Sequence, residues 1–501
     1  MENSIKQITD QDLRQGVLLL DHYDEAAAML KNSFRRAGFT GPAIVLSDSG
    51  FLPSDVTSLY RCFCRDSRDL PLPGTKSSRK ESTDRAAAES AARDEILSEA
   101  QAKPGSWQYQ LSHAGWRMGK ARYFNQIELP DYWEITGNGV SGEVHDLQHL
   151  RGRIFFAAPS ARRLVSEVDW LHENGIVRCT DHYDNSGILY SRTVFNKKGE
   201  RFCRSWFDEE GRERIVENYV TGDILVNRNG KIALYKNRTE LAVSLLKEIG
   251  ADGRRIFYNS LSIPLFVTEK MEMPERGNVL FWQEGPRDDI PGNMQMILEG
   301  RSNTTEILVQ NRESLKNLLR LGASEEFLKP MGYVYGYKRE NGAASDILIC
   351  TNSDQIEQLQ EIAENLPSGM KIHIAAVTEM SAKLLAFGRY ENIRLYPCAR
   401  ESLIDGLLEK CDYYLDINHG GEIVSAVKQA FLHDELILGF RNTLHNSWYT
   451  AEENQFSDAD GLCDALKRCH SDGEALQKRL RAQKTAAMEE REETYRKLFE
   501  E

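Results

Sequence analysis

Glycines recur at a fixed interval of twelve residues in the middle of the chain, at positions 175, 187, 199 and 211. Each glycine ends a short polar turn, and the segments between turns, such as residues 188–195 and 200–207, are eight residues long. Segments of this length are typical of consecutive antiparallel hairpins, whereas a helical repeat needs longer units. The period therefore predicts a β-meander between Leu164 and Asn237.

Aromatic residues keep the same period, at Tyr183, Phe195, Phe207 and Tyr219. The simplest interpretation is that they pack across strands on one face of the sheet. Two alternatives stay open: an additional binding face, and a self-contained carbohydrate-binding or adhesive repeat protein. Proteins of that second class are exported, but the N-terminus has neither the basic region nor the apolar segment of a signal peptide. We therefore expect the protein to stay in the cytoplasm.

Alternating apolar strands and helices flank the meander on both sides. Before it, strands at residues 16–21 and 43–46 surround a helical pattern; after it, strands are indicated at residues 255–258, 278–282 and 306–309. Strands joined by helices in this order are typical of a parallel α/β sheet. The pattern predicts one Rossmann-like domain that is split by the meander.

A second α/β pattern follows the first. Its predicted strands lie at residues 333–337, 346–350, 371–375, 392–396, 413–417 and 436–439. The predicted fold class is therefore α/β, with two Rossmann-like domains and an inserted antiparallel β-meander. The predicted organisation is a first domain at 1–58 and 236–328, an inserted β-sheet domain at 59–235 with a polar loop and helix at 65–105, a second domain at 329–480, and a C-terminal helix at 481–501.

Composition narrows the range of partners. The formal net charge of −13 disfavours a nucleic acid, because binding to a phosphate backbone depends on clustered Lys and Arg. The nine cysteines are scattered without paired CxxC motifs, so we predict reduced, mostly buried thiols and no metal site. No window approaches the roughly 20 apolar residues of a membrane-spanning helix. We predict no nucleic-acid partner, no metal and no cofactor.

Six stretches of the sequence resemble one protein family. They are YFNQIELPDYWEI at 123–135, VDWLHENG at 168–175, DHY at 181–183, NKKG at 196–199, VENYVTGDI at 216–224 and RIFYNSLS at 255–262. The family is the stabilising subunit, or glycosylation chaperone, that accompanies the first glycosyltransferase acting on serine-rich-repeat adhesins in the accessory Sec system of Gram-positive bacteria. The resemblance extends from about residue 16 to 480, without the polar segment near 65–105.

The resemblance implies a glycosyltransferase-B-like fold and a division of labour. A catalytic glycosyltransferase subunit transfers GlcNAc from UDP-GlcNAc to Ser and Thr of the adhesin. The subunit that this chain resembles binds the unfolded serine-rich-repeat acceptor and presents it. The family also suggests two copies of each subunit, and because it works beside an export channel, peripheral association with the inner face of the membrane stays open.

Retaining enzymes of this fold hold the nucleotide sugar with two carboxylates eight residues apart, in a stretch that matches residues 413–431 here. In this chain the two positions fall on Gly421 and Gln429, which are not acids. Glu422 lies one residue away, but eight residues beyond it stands Ala430. The resemblance therefore implies a donor site without its carboxylates and a subunit without a catalytic residue. An active retaining glycosyltransferase remains the alternative.

Basic residues that such enzymes place after the first strand of this domain are displaced to Lys338 and Arg339. They could reach a phosphate, although a solvated turn is the favoured interpretation.

Neutral polar side chains suit an unfolded acceptor, which exposes backbone amides and hydroxyls. Such side chains cluster at the predicted carboxyl ends of strands, so we predict acceptor-binding residues there: Asp21, His22, Asn259 and Ser260 in the first domain, and Asn418, His419, Gln429, Arg441, Asn442, His445 and Asn446 in the second. Each could instead be a helix cap, a turn or a satisfied polar group. Asp21 has the clearest alternative, as the N-cap of the following helix, and His182 is expected on a sheet face.

The meander offers a second function. A broad sheet is a large rigid surface, and its edge strands can pair with a similar domain. We expect it to join the catalytic partner.

Overall fold

The computed structural model describes residues 13–64, 120–228 and 230–500. The predicted polar loop and helix at 65–105 lie outside the described residues. The described residues form two compact units: those of the first lie within Met1–Lys31, Phe39–Lys329 and Phe499–Glu501, and those of the second within Asn32–Gly38 and Pro330–Leu498.

Strands alternate with helices at both ends of the chain. Three strands precede the meander: β1 (Val17–Leu20), β2 (Ala43–Val45) and β3 (Thr57–Ser58). The meander contains β4 (Trp133–Gly137), β5 (Ser141–Asp146), β6 (His149–Phe156), β7 (Val165–Leu171), β8 (Val177–Tyr183), β9 (Leu189–Phe195), β10 (Arg201–Phe207), β11 (Glu213–Asn218), β12 (Ile224–Arg228) and β13 (Lys231–Tyr235). The first unit resumes with β14 (Ile256–Tyr258), β15 (Asn278–Trp282), β16 (Thr304–Val309) and β17 (Leu328–Pro330). The second unit contains β18 (Asp346–Thr351), β19 (Lys371–Ala376), β20 (Ile393–Tyr396), β21 (Tyr413–Asp416), β22 (Leu436–Phe440) and β23 (Gln455–Phe456).

The helices connect these strands. Those that begin in the first unit are α1 (Glu25–Arg36), α2 (Leu59–Cys64), α3 (Arg238–Glu248), α4 (Ile263–Thr268), α5 (Gly292–Leu298) and α6 (Arg312–Arg320). The later helices are α7 (Leu359–Asn365), α8 (Ala382–Leu385), α9 (Glu401–Lys410), α10 (Ala426–Leu432), α11 (Ala459–Ser471), α12 (Gly473–Ala486) and α13 (Glu492–Phe499). None of the helices in the described part of the chain is both long and apolar enough to cross a bilayer.

Both units contain a parallel sheet with the same order of strands. The first sheet has the order β17-β16-β15-β14-β1-β2-β3, and the second has β20-β19-β18-β21-β22-β23. In each, the chain adds strands in one direction and then reverses, between β1 and β14 and between β18 and β21. Ligands of doubly wound folds bind outside the carboxyl ends of the strands at such a reversal. The α/β prediction with two Rossmann-like sheets is confirmed.

The meander is a ten-stranded antiparallel sheet in which each strand pairs with the next along the chain, from β4 to β13. The four periodic glycines have φ angles between 74° and 80°, a conformation that glycine adopts at little cost. In three of the four turns an Asp or Asn side chain, at 184, 196 or 208, accepts backbone N–H groups two and four residues later. The twelve-residue period therefore marks hairpins, as predicted.

The periodic aromatic residues do not pack against one another. Tyr183 pairs with Leu189, Phe195 pairs with Arg201 and Phe207 pairs with Glu213. Each stands at the last position of its strand, and because successive strands are antiparallel, these residues alternate between the two ends of the sheet. Tyr183 packs across strands against Leu189, as expected, but the periodic aromatic residues do not share one cluster.

The first parallel sheet and the meander share a core. Trp206 of β10 stacks on Tyr60 of α2, with ring centroids 3.9 Å apart and planes within 7°. The Arg61 guanidinium donates to Asp48 at 2.7 Å and to the carbonyl of Gly50 at 2.8 Å, and it lies 3.6 Å from Asp184 in a meander turn. These contacts join the inserted sheet to the loop after β2.

Two predictions for the second unit are wrong. Residues 333–337 do not form a strand, because their backbone groups bond elsewhere: the N–H of Tyr333 donates to the carbonyl of Met488 and that of Val334 to the Ser33 hydroxyl. The C-terminal helix predicted at 481–501 is divided between α12 and α13, and Tyr495 and Phe499 on α13 are buried. Seven of the nine cysteines are buried, as predicted.

Candidate functional site

The four residues predicted in the first domain lie together where β1 and β14 end. The N–H of Asp21 donates to Asn259 Oδ1 at 3.0 Å, and the Ser260 hydroxyl donates to Asp21 Oδ2 at 3.0 Å. The Asp21 side chain is 13% exposed, whereas that of His22, whose Nδ1 lies 3.4 Å from Asp21, is 69% exposed. One nearly buried carboxylate therefore stands beside an accessible imidazole.

Two glutamines missed by sequence reasoning extend this cluster. Asn259 Nδ2 donates to Gln283 Oε1 at 3.1 Å, and Gln283 Nε2 donates to Gln310 Oε1 at 3.0 Å. Gln283 follows β15 and Gln310 follows β16, so the strand-end rule that found Asp21 could also have found them. We call Asp21, His22, Asn259, Ser260, Gln283 and Gln310 the first carboxyl edge.

Asp21 is not the cap of the following helix. The side chain of Asp24, directly before α1, accepts the N–H of Ala27 at 2.8 Å. The alternative role for Asp21 is therefore wrong, and its carboxylate is left to Ser260 and His22.

The second unit holds a buried ion pair at the end of β21. Asp416 is fully buried and accepts both the backbone N–H of His445, at 2.8 Å, and its Nδ1, at 2.5 Å. His445 Nε2 lies 2.5 Å from the carbonyl of Gly420. The hydrogen bond to Asp416 raises the pKa of His445 to about 9, so the ring is an imidazolium at neutral pH. Asp416 was not predicted, because a single acid at a strand end resembles a turn residue.

Asn418 and His419 lie just beyond this pair. Asn418 is 1% exposed, and neither its amide oxygen nor its amide nitrogen has a partner among the residues that the structure describes. His419 Nε2 lies 2.6 Å from Glu357 Oε2, and this hydrogen bond lowers the pKa of Glu357. We call Asp416, Asn418, His419, Gln429, Arg441, Asn442 and His445 the second carboxyl edge. Arg441 and Asn442 are exposed after β22.

Gly421 and Gln429 stand at the two positions where the resemblance implies carboxylates. A Cβ on Gly421 would have its nearest neighbour, Asn352 Nδ2, at 3.9 Å, so there is space for a side chain. Gln429 lies within α10 and accepts a hydrogen bond from Lys338 Nζ at 2.9 Å. The missing acid at 421 is therefore not imposed by crowding.

Glu422, the nearest acid, has a structural task. Its Oε1 accepts the N–H of Val427 in the first turn of α10 at 3.0 Å. A carboxylate at a helix start satisfies an amide that is otherwise unpaired and interacts well with the helix dipole. A negative charge already lies at the end of α10 that a diphosphate would approach.

Arg339 is also engaged internally. Its guanidinium contacts the carboxylate of Asp412 and the carbonyl of Cys411, and Nε donates to the carbonyl of Leu408 at 3.2 Å. The solvated-turn interpretation of Arg339 is therefore wrong, and its donors face the protein rather than a phosphate. Asn446 is a cap, as its alternative proposed: its side chain accepts the N–H of Trp448 at 3.1 Å.

His182 lies on the meander, as expected. Its Nδ1 is 3.1 Å from Glu167 and its Nε2 is 2.9 Å from the Thr193 hydroxyl, and burial lowers its pKa. Among the described residues no group of three or more His, Cys, Asp or Glu is arranged to hold a metal ion.

Four family models match the chain in succession. They are the GtfB N-terminal domain at residues 17–63, the GtfB middle domain at 133–236, the GtfB third domain at 238–321 and the GftB/GlyA-F C-terminal domain at 347–483. The middle-domain match coincides with the meander from β4 to β13.

Curated relatives are similar over nearly their whole length. The UDP-N-acetylglucosamine–peptide N-acetylglucosaminyltransferase stabilizing protein GtfB of Streptococcus agalactiae is 35% identical, covering 90% of this chain and 91% of the relative. The protein of the same name from Streptococcus gordonii is 32% identical, covering 93% and 94%. These names describe a stabilizing protein and not the transferase itself.

Solved structures agree. A chain in a crystal structure of a GtfA/B complex bound to UDP and GlcNAc is 31% identical, with a TM-score of 0.79 over 97% of this chain and 99% of that one. A chain of the accessory secretory protein 1, 2 and 3 complex of Streptococcus pneumoniae has a TM-score of 0.55 at 12% identity, over 94% and 95%, and shares the fold alone. The family predicted from the six sequence stretches is confirmed: the chain belongs to the GtfB family of stabilizing proteins of peptide N-acetylglucosaminyltransferases.

Proposed function

We propose that this chain is the non-catalytic subunit that holds an unfolded Ser/Thr-rich acceptor for a partner transferase, which adds GlcNAc from UDP-GlcNAc. The names of its relatives support the stabilising part of this proposal, and the GtfA/B complex supports a transferase partner. The acceptor-holding part depends on the chemistry of the two carboxyl edges.

One observation carries the proposal. Where a donor site of this fold needs two acids, the chain has Gly421, which has room for a side chain, and Gln429, which bonds to Lys338. The nearby acid Glu422 caps α10, and Arg339 is paired with Asp412. The groups that would grip a nucleotide sugar are thus absent or already bonded.

The carboxyl edges suit a neutral polypeptide. Asn and Gln side chains both donate and accept, so they can pair with backbone amides and Ser/Thr hydroxyls in either direction. On the first carboxyl edge, His22 is exposed beside Asp21. On the second, Asn442 is exposed, and the buried amide of Asn418 has no partner within the described ranges of the chain.

Coexpression with a family transferase and a Ser/Thr-rich acceptor tests the proposal. We expect glycosylation to need this chain, and His22→Ala together with Asn442→Ala to weaken binding of a labelled acceptor peptide about tenfold. His149→Ala, exposed on the meander, is the matched control and should leave peptide binding unchanged. Equal glycosylation with and without the chain would refute the proposal.

We also propose that the partner docks on the β13 edge of the meander. Leu225 and Leu234 face each other across β12 and β13 and are 45% and 63% exposed, and Ile232 is 70% exposed. At the opposite edge the most exposed apolar residues, Tyr132, Val140 and Leu147, lie in turns rather than on strands. An apolar strand with an open edge is a template for pairing with another sheet.

Charge placed on this edge tests the docking. Ile232→Lys with Leu234→Lys should abolish copurification with the transferase, whereas Val140→Lys at the opposite edge should not. If Val140→Lys alone separates the subunits, the docking edge is the other one.

The assembly is proposed to contain two copies of each subunit and to act in the cytoplasm, where it could associate with the inner face of the membrane. Light scattering of the copurified complex should give the mass of two chains of each kind. A mass equal to one chain of each would contradict this stoichiometry.

A further inference from the structure

A cavity of about 320 Å³ opens in the second unit, at the carboxyl ends of β18 and β19. None of the predicted acceptor-binding residues lines it. Its polar side includes Asn352, Asp354, Thr378 and Glu379, and its apolar side includes Met380 and Leu384. Small-ligand pockets have volumes of about 300–1,000 Å³, so the cavity can hold one ring of a sugar or nucleoside.

The charge of the cavity selects among ligands. Two of the residues that line it are acids, Asp354 and Glu379, and none is Lys or Arg. A phosphate would be repelled by these carboxylates, whereas a hydroxyl can donate to them in a charge-assisted hydrogen bond. The cavity therefore favours a neutral ligand with several hydroxyl groups.

The place of the cavity in the fold supports the same ligand. In Rossmann folds the loop after the first strand cradles a diphosphate with glycines, and an acid near the end of the second strand bonds ribose hydroxyls. Here the loop after β18 contains Asn352-Ser353-Asp354, without glycine, and Glu379 follows β19. The acid for a diol is present, and the phosphate cradle is absent.

One carboxylate of the cavity is held in place, and other polar groups remain available. The Ser381 hydroxyl donates to Asp354 Oδ2 at 2.9 Å, which orients this carboxylate. Within the described part of the chain, the side chains of Asn352, Thr378 and Glu379 have no hydrogen-bond partner. The backbone of Gly420 lies against this loop, since a Cβ at 420 would stand 2.3 Å from Asn352 Oδ1 and 2.8 Å from Ser353 Cβ.

We propose that this cavity binds a neutral ring with vicinal hydroxyls, either a pyranose or the ribose of a nucleoside. Asp354 and Glu379 accept the hydroxyl protons, and Met380 and Leu384 contact the C–H face of the ring. The inference goes beyond acceptor binding, since either could fail while the other holds.

Titration of the full-length chain with N-acetylglucosamine, uridine and UDP, followed by ligand-observed NMR and calorimetry, tests the cavity. We expect saturable binding of N-acetylglucosamine or of uridine, and the one that binds identifies the ring. We expect UDP to bind more weakly than uridine because of the two carboxylates.

Substitutions locate the binding. Asp354→Asn and Glu379→Gln should each weaken it about tenfold, whereas Glu361→Gln, exposed on α7 in the same unit, should not. Peptide binding should be unchanged in all three variants, which separates this site from the carboxyl edges. The proposal is overturned if neither probe saturates, if UDP binds more tightly than uridine, or if both cavity variants bind as the parent does.

Discussion

The two parallel sheets have the same strand order, but the polar side chains at their carboxyl edges form different kinds of hydrogen bonds. On the first carboxyl edge, one carboxylate, Asp21, adjoins a chain of neutral amides from Asn259 through Gln283 to Gln310. On the second, an acid–base pair, Asp416 and His445, is buried. The first edge gains stability from many modest bonds, and the second from one strong pair.

This difference matters for function. Charged groups that an enzyme would direct at a nucleotide sugar are directed inward in the second unit, at His445, at α10 and at Asp412. The unit keeps the shape of a donor domain while its charges stabilise the fold. The following predictions test this contrast, from the largest expected effect to the smallest.

Removing the imidazolium should have the largest effect. His445→Leu leaves the fully buried Asp416 carboxylate without its partner, and breaking such a pair costs about 3 kcal/mol of unfolding free energy. Chemical denaturation measures the change. His22→Leu on the first carboxyl edge is the matched control; its side chain is 69% exposed, so we expect a change below about 0.5 kcal/mol. Equal losses in both variants would remove the contrast.

The same pair predicts a dependence on alkaline pH. The hydrogen bond to Asp416 raises the pKa of His445 to about 9, above the ordinary value of about 6.5 for the unfolded chain. The stabilisation is complete below about pH 6.5 and is lost as pH rises through 9, by about 3 kcal/mol. Denaturation midpoints across this range should fall for the parent chain and less steeply for His445→Gln. A parallel decline in both would contradict the assignment.

Glu435, in the same unit, also loses stability as pH rises, but its replacement should stabilise the fold, whereas replacement of His445 destabilises it. Both carboxyl oxygens are buried without a partner in the described structure, near Arg339 and Asp412, and burial raises its pKa well above the ordinary value. The folded chain holds a proton that the unfolded chain releases, so this group lowers stability as pH rises above about 4.5. Glu435→Gln should therefore raise the unfolding free energy at pH 7, because the neutral amide has no charge that burial penalises. The gain should vanish near pH 4.5; a loss of stability at pH 7 would show that Glu435 is paired.

The first carboxyl edge should respond least. Asn259→Ala removes bonds to the N–H of Asp21 and to Gln283, each neutral, and should cost about 1 kcal/mol. Thermal unfolding of this variant checks the value, with Asn442→Ala, whose original side chain is exposed, measured as the control. A loss as large as that of His445→Leu would mean that the amide chain is as critical as the ion pair.

Sequence patterns located the strands well where local rules dominate. The meander follows from glycines at φ near 80° and from Asx turns, both of which depend on a few adjacent residues. The strand predicted at residues 333–337 was wrong because the backbone groups there bond to residues distant in sequence. Tyr333 bonds to Met488, which is distant in sequence, and no local pattern reveals that partner.

The candidate site was predicted in the same uneven way. The strand-end rule brought Asp21, His22, Asn259 and Ser260 together correctly. The rule could not indicate that His445 is hydrogen-bonded to Asp416, or that Glu422 caps α10. Both contacts depend on how a loop folds back. The absence of the two acids was easier to predict than the roles of the residues that are present, because Gly421 and Gln429 can be read from the sequence itself.

Binding of UDP-GlcNAc to the isolated, full-length chain is the most direct measurement of the central claim. Calorimetry should show no saturable binding at micromolar concentrations, and the chain alone should transfer no sugar to a Ser/Thr-rich peptide. Micromolar affinity for UDP-GlcNAc, or transfer by the chain without its partner, would contradict the account and favour an active retaining glycosyltransferase.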